Sequence, residues 1–214
     1  KNDNVVVVFS SEAPGPLVKS GSSAQRISLA GAIEGDRYGG IYQQLEVVPN
    51  QTYILNLHGQ IRTGLADIDL SSYGYRMQYA IDYSGGDNWL NVPQEDWMEL
   101  PWDEQLLQSP DVKFLDYTTE ITPTSNQLTL FVRAWNKWPD PGLAEYTLDS
   151  LSLVGPAPGR GAEPGTGEAL VDKGLPGTGV DDSAGLMGDG RFWGAVLILI
   201  LLAAGAIYRG RWGY

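Results

Sequence analysis

The sequence has no cysteine and only one histidine, His58, among its 214 residues. Without cysteine there is neither a disulfide nor a thiol nucleophile, so the fold must rest on a hydrophobic core. Basic residues are also few: 14 Lys and Arg stand against 26 Asp and Glu, a net charge of -12. Such a chain cannot neutralise phosphates over a continuous surface, which argues against a nucleic-acid partner. A single histidine without identifiable partners predicts a protein that is not an enzyme.

Helical periodicity is also missing before residue 190. Short alternating or β-branched segments recur there instead, separated by turns rich in Gly, Pro and Asn. The predicted strands are residues 4–9, 26–33, 41–48, 52–63, 74–83, 88–92, 113–122, 127–136 and 145–154. This pattern predicts an all-β sandwich over residues 1–154, with the valine-rich first strand buried on both faces.

Two stretches carry a family resemblance. Residues 39–59, GGIYQQLEVVPNQTYILNLHG, and residues 145–155, EYTLDSLSLVG, resemble an internal strand pair and the closing strand of galactose-binding-like jelly rolls and related carbohydrate-binding modules. The resemblance covers residues 4–154. It implies an eight-stranded jelly roll without catalytic activity.

The resemblance also implies a structural calcium ion, the one candidate cofactor. In such modules the closing aspartate helps to hold calcium together with acidic residues near the first strand. Here Ser150 replaces the second closing aspartate and the usual N-terminal strand is absent, which leaves Asp149 and Glu12 as the candidate ligands. Calcium needs six to eight oxygens. The alternative is that Asp149 only holds a turn.

Aromatic and hydrogen-bonding side chains around residues 131–138 form a candidate sugar platform. Alternation places Phe131, Arg133 and Trp135 on one face of a strand, because side chains of a strand point to opposite faces in turn. A sugar presents apolar C–H patches ringed by hydroxyls and needs both kinds of contact. The candidate glycan-binding residues are Tyr42, Gln44, His58, Phe131, Arg133, Trp135 and Trp138. The alternative is that the aromatics belong to the core, with Arg133 stacked on Trp135.

Residues 94–105, QEDWMELPWDEQ, combine acids with two tryptophans. They predict an acidic docking patch for a cation or a basic partner, made of Glu95, Asp96, Glu99, Asp103 and Glu104. The alternative is a solvated rim whose tryptophans are buried in the core.

Residues 192–208, FWGAVLILILLAAGAIY, carry no charge. As a helix this segment is about 26 Å long, close to the thickness of a bilayer core. The aromatic and basic residues expected at the two interfaces are Phe192, Trp193, Tyr208, Arg209 and Arg211. We predict a single-pass protein of the cell membrane, with a transmembrane helix over 191–208 and a cytoplasmic tail over 209–214. The sandwich domain then lies on the extracytoplasmic side.

The composition of residues 155–190 shifts to Gly, Pro, Ala and acids, which predicts a linker. Within it, LPGTG has the form of the signal that sortases cleave. The residues of this motif are Leu175, Pro176, Thr178 and Gly179.

Three hypotheses follow for the function. The first is a structural subunit whose jelly roll docks on a larger membrane complex, with the lipid bilayer and other membrane subunits as partners. The second is a cell-surface carbohydrate-binding module, held by the anchor or by sortase, with a glycan as partner. The third is a hydrolase whose site the sequence does not reveal.

Overall fold

The chain folds as an all-β sandwich, as a computed structural model shows. The structure describes residues 5–13, 15–65 and 67–158, and the backbone alone of Val196–Ile198. Its strands are β1 Val6–Glu12, β2 Ala24–Ala30, β3 Arg37–Glu46, β4 Tyr53–Thr63, β5 Tyr75–Asp82, β6 Met98–Glu99, β7 Glu104–Leu106, β8 Leu115–Ile121, β9 Gln127–Asn136, β10 Ala144–Val154 and β11 Val196–Ile198. In the part of the chain that the structure describes, three short 3₁₀ helices lie in the loops, at Ile68–Ser71, Trp89–Asn91 and Gln94–Asp96.

The strands form two sheets. In the first sheet β1, β2, β10 and β4 follow one another, β8 and β7 share the far edge of β4, and β11 pairs with β10. The second sheet has the order β3, β9, β5 and β6. Early strands pair with late strands in nested order: β2 with β10, β3 with β9 and β4 with β8. This is the arrangement of a jelly roll.

The core lies between the two sheets and is built by alternation. Tyr53, Leu55 and Leu57 of β4 face it, and so do Tyr75 and the other odd-numbered residues of β5. The second sheet adds the even-numbered positions of β9, from Leu128 to Ala134. Because these inner positions are apolar, the outer face of each sheet is left to carry the functional side chains.

Two predictions about local structure are wrong. The first strand is not buried on both faces: β1 lies at an edge of its sheet, and Val6, Val8 and Phe9 are exposed. Residues 88–92 form the 3₁₀ helix Trp89–Asn91 instead of a strand. Asn88 accepts a hydrogen bond from the backbone N–H of Leu90, which caps this turn and competes with extended structure.

The predicted linker and anchor lie largely outside the described residues. This applies to the sortase-like motif, Leu175, Pro176, Thr178 and Gly179, and to the interface residues Phe192, Trp193, Tyr208, Arg209 and Arg211. Only Val196–Ile198 is described, as a strand paired with the end of β10. Within the described part of the chain, no helix has the length and hydropathy needed to cross a bilayer. The membrane span stays a prediction.

Candidate functional site

The outer face of the second sheet carries the predicted aromatic and arginine residues. Phe131, Arg133 and Trp135 of β9 all point away from the core, because the alternate residues of this strand fill it. On β3 the partners directly opposite are Tyr42, Gly40 and Tyr38, respectively. Strand pairing therefore brings Tyr42 beside Phe131, with ring centroids 5.7 Å apart, and Tyr38 onto Trp135, stacked at 6.0 Å.

A loop of residues 83–97, here called the tryptophan loop, folds over the same face. Trp97 packs on Phe131 at 6.3 Å between centroids and is 7% exposed. Trp89 lies 6.1 Å from Tyr38. The amide of Gln44 donates to the carbonyl of Gly85 at 2.6 Å, which ties the start of the loop to β3. The loop thus covers Phe131 and reaches β3 at Tyr38 and Gln44, while Tyr42 stays exposed.

Arg133 is held inside this aromatic cluster. Its guanidinium carbon lies 4.1 Å from the ring centroid of Tyr38 and 3.7 Å from that of Trp97, with Trp89 at 5.7 Å. Arg133 therefore packs on these three rings. The alternative interpretation, in which Arg133 stacks on Trp135, is wrong on this point. Burial lowers the pKa of Arg133 to about 10, so the side chain remains a cation at neutral pH. Burial likewise raises the pKa of Tyr38, against the lowering effect of the Arg133 charge.

The open part of the face is a slot along β3. Tyr42 is 54% exposed, Trp89 is 38% exposed, and Gly40 lies exposed between Tyr42 and Tyr38. Because Tyr38 and Tyr42 are four residues apart on one face, their Cα atoms are about 13 Å apart. Because Gly40 has no side chain, no side chain of β3 fills the gap between the two tyrosines on this face. We call this gap the tyrosine slot.

One end of the tyrosine slot is polar. The indole N–H of Trp135 donates to Asp36 at 3.0 Å, and Asp36 is exposed. The Nζ of Lys137 lies 5.2 Å from the ring centroids of both Trp135 and Trp138. Trp138 is 48% exposed, and its indole N–H donates to the carbonyl of Ser72. Trp138 thus lies beyond Trp135 at the border of the platform.

His58 does not belong to this platform, contrary to the prediction. It lies on the outer face of the first sheet, because β4 pairs with β8 and β10. There its Nδ1 is 2.6 Å from Asp116, which also receives a 2.5 Å hydrogen bond from Lys19. The hydrogen bonds from Lys19 and His58 hold the pKa of Asp116 below its usual range.

The two candidate calcium ligands are engaged separately. Asp149 accepts hydrogen bonds from the backbone N–H groups of Lys19, at 2.6 Å, and Ser20, at 3.0 Å, which is the turn-holding role of the alternative interpretation. Glu12 instead lies 3.5 Å from both Arg26 and Arg62. Across the described residues, no group of three or more His, Asp or Glu side chains is arranged to hold a metal ion.

The predicted acidic patch is divided. Glu104 is 5% exposed and therefore not part of a surface patch. The other four acids are exposed, and two of them pair with Arg76: Glu99 at 2.6 Å and Asp103 at 3.5 Å. Both tryptophans of this segment, Trp97 and Trp102, are buried, as the solvated-rim alternative expects.

Sequence reasoning missed Tyr38, Gly40, Trp89 and Trp97. The predicted strand began at residue 41, whereas β3 begins at Arg37, so Tyr38 and Gly40 lay outside the prediction. No signal in the sequence marks Trp89 or Trp97, since a loop carries them onto the sheet.

No known family profile matches the chain, and no curated protein matches it significantly in sequence. Among solved structures, similar folds include carbohydrate-binding modules. TmCBM61 in complex with β-1,4-galactotriose is 13% identical over 71% of this chain and 82% of that one, with a TM-score of 0.39. A CBM4 structure is 10% identical over 72% of this chain and 95% of that one, with a TM-score of 0.42. The CBM22-1 xylan-binding domain of Xyn10C from Paenibacillus barcinonensis is 16% identical over 70% of this chain and 80% of that one, with a TM-score of 0.33.

Proposed function

We propose that the protein is a carbohydrate-binding module that takes a sugar chain into the tyrosine slot. The observation that supports this proposal is the row of half-buried Tyr38, exposed Gly40 and exposed Tyr42, with the ring of Trp89 beside it. Aromatic rings with a gap between them suit the apolar faces of sugar rings, and Gln44 and Asp36 supply hydrogen-bonding groups at the two ends. We assign no catalytic step to this face.

Binding can be tested by affinity electrophoresis of the purified chain in gels that contain a panel of polysaccharides, including β-1,4-galactan and xylan. We expect retardation by at least one of them. Tyr42→Ala should weaken the affinity roughly 2- to 10-fold, since an aromatic contact contributes about 0.5–1.5 kcal/mol.

Phe9→Ala is the matched control, because Phe9 is 50% exposed and lies on the first sheet. It should bind as the unchanged protein does. Failure of every glycan to retard the chain, or equal losses in the two variants, contradicts the proposal.

The hypothesis of a membrane-complex subunit stays a prediction. It depends on the anchor over residues 191–208, of which the structure describes only the backbone of Val196–Ile198. A glycan-binding face and a membrane anchor are compatible in one chain.

A further inference from the structure

Arg133 differs from the other buried arginines of the described chain in its partners. Arg62 and Arg76 each pair with carboxylates, at 2.5 Å and 2.6 Å at the shortest. Arg133 is only 4% exposed, yet no carboxylate among the described residues lies within ion-pair distance of it. A buried cation is costly unless it is paired and hydrogen-bonded. The charge of Asp36 acts on Arg133 from beyond ion-pair distance, so the guanidinium has no directly bound anion among the described residues.

The hydrogen bonds of Arg133 leave one nitrogen without a partner. Nε donates to Gln78 Oε1 at 2.8 Å and Nη2 to Gln94 Oε1 at 3.2 Å. Nη1 makes no hydrogen bond among the described residues and is not one of the fully buried atoms that lack a partner, so it keeps contact with solvent. Both partners present are neutral amides, which accept more weakly than carboxylates do.

The rings around Arg133 decide how a ligand can approach it. The ring centroids of Tyr38 and Trp97 lie 4.1 Å and 3.7 Å from the guanidinium carbon, so these rings restrict the approach of a ligand. A ligand group that accepts a hydrogen bond must approach in the guanidinium plane, where the N–H groups donate. Gly40, directly opposite Arg133 on β3, bears no side chain that would close the way from the tyrosine slot.

We propose that the sugar bound in the tyrosine slot carries an anionic oxygen, of a uronic-acid carboxylate or a sulfate ester, that accepts a hydrogen bond from Arg133 Nη1. This inference rests on the proposed function and narrows it to acidic glycans. The net charge of -12 opposes long-range attraction of a polyanion. At 0.15 M salt the Debye length is about 8 Å, so distant carboxylates are screened and the contact with Arg133 decides.

The test compares two ligands on the same sugar backbone, one charged and one neutral: short oligogalacturonates and their methyl esters, titrated calorimetrically into the full chain at 0.15 M salt. We expect the acid to bind at least about 10-fold more tightly than the ester, as a charge-assisted hydrogen bond requires. A sulfated galacto-oligosaccharide against its unsulfated form distinguishes sulfate from carboxylate.

Arg133→Lys keeps the charge and removes the planar fork, and it should lose most of this preference. Arg76→Lys is the matched control, since Arg76 lies on the same outer face with carboxylate partners of its own. This variant should keep the preference for the acidic ligand. The ratio of the affinities for acid and ester, measured in the unchanged protein, tests the proposal even if Arg133→Lys fails to fold.

The outcomes separate the two proposals. If acidic and neutral forms bind equally well for both ligand pairs, or if folded Arg133→Lys keeps the full preference, the acidic-glycan inference is overturned while carbohydrate binding stands. If neither these ligands nor any polysaccharide of the panel binds, the proposed function itself fails.

Discussion

Gly40 is the residue on which the shape of the tyrosine slot depends. A Cβ atom at this position would lie 2.7 Å from the carbonyl oxygen of Val132 and 3.0 Å from Cβ of Arg133. Both atoms belong to the paired strand β9, so neither can move without disturbing the sheet. A glycine in a strand often marks such a close approach.

We therefore expect Gly40→Ala to lower the free energy of unfolding by about 1–3 kcal/mol, the usual cost of overpacking. It should also weaken glycan binding by narrowing the gap between Tyr38 and Tyr42. Urea denaturation and affinity electrophoresis measure the two effects. Gly64→Ala is a milder control, because its Cβ would meet the carbonyl oxygen of Leu143 at 3.3 Å. Equal stability of the Gly40 variant and the unchanged protein would refute the close approach.

At the scale of elements, the tryptophan loop is positioned by Asp82, the last residue of β5. Its carboxylate accepts hydrogen bonds from the hydroxyl of Ser84 at 2.6 Å, the N–H of Ser84 at 2.7 Å and the N–H of Gly86 at 3.1 Å. These bonds, foremost that of the Ser84 hydroxyl, hold the pKa of Asp82 below its usual range in spite of partial burial. The folded protein thus favours the ionised form.

It follows that the stabilisation by Asp82 is complete above the unfolded pKa of about 3.9 and is lost as pH falls through the lower folded value. Asp82→Ala should lower the free energy of unfolding by about 1 kcal/mol at pH 7, as loss of a capping carboxylate does. The difference should shrink in urea titrations below about pH 3. Asp87→Ala, in the same loop, should show neither effect. A difference that is the same at both pH values would count against this role.

Period-two alternation was enough to predict that Phe131, Arg133 and Trp135 share one face of β9, but it left open whether that face is buried or points outward. It could not place His58, since the same alternation holds in either sheet and only strand pairing assigns β4 to the first. Nor could it find Trp97 over Arg133: the two are far apart in sequence, and a loop without a repeating pattern brings them together. The exposure of β1 follows from its edge position, which no local pattern contains.

At the scale of the whole molecule, residues that follow β10 also pack against the core of the sandwich. The hydroxyl of Tyr53 receives a hydrogen bond from the N–H of Val48 at 2.8 Å and donates to the carbonyl of Pro156 at 2.6 Å. Gly155 lies directly against the Tyr53 ring, where a Cβ atom would clash. The segment after β10 therefore packs on the end of the core and ties it to the turn before β4.

A fragment that ends at residue 158 contains every core side chain of the described sandwich and should unfold in one cooperative transition, with the glycan affinity of the full chain. A fragment that ends at residue 154 lacks the acceptor for Tyr53 and leaves one end of the core uncovered. We expect it to be less stable by about 1–3 kcal/mol, the cost of an unmade buried hydrogen bond. Urea denaturation of both fragments and of the full chain measures this. A shorter fragment as stable as the longer one would place the domain boundary at residue 154, whereas a longer fragment less stable than the full chain would show that residues beyond 158 contribute to the fold.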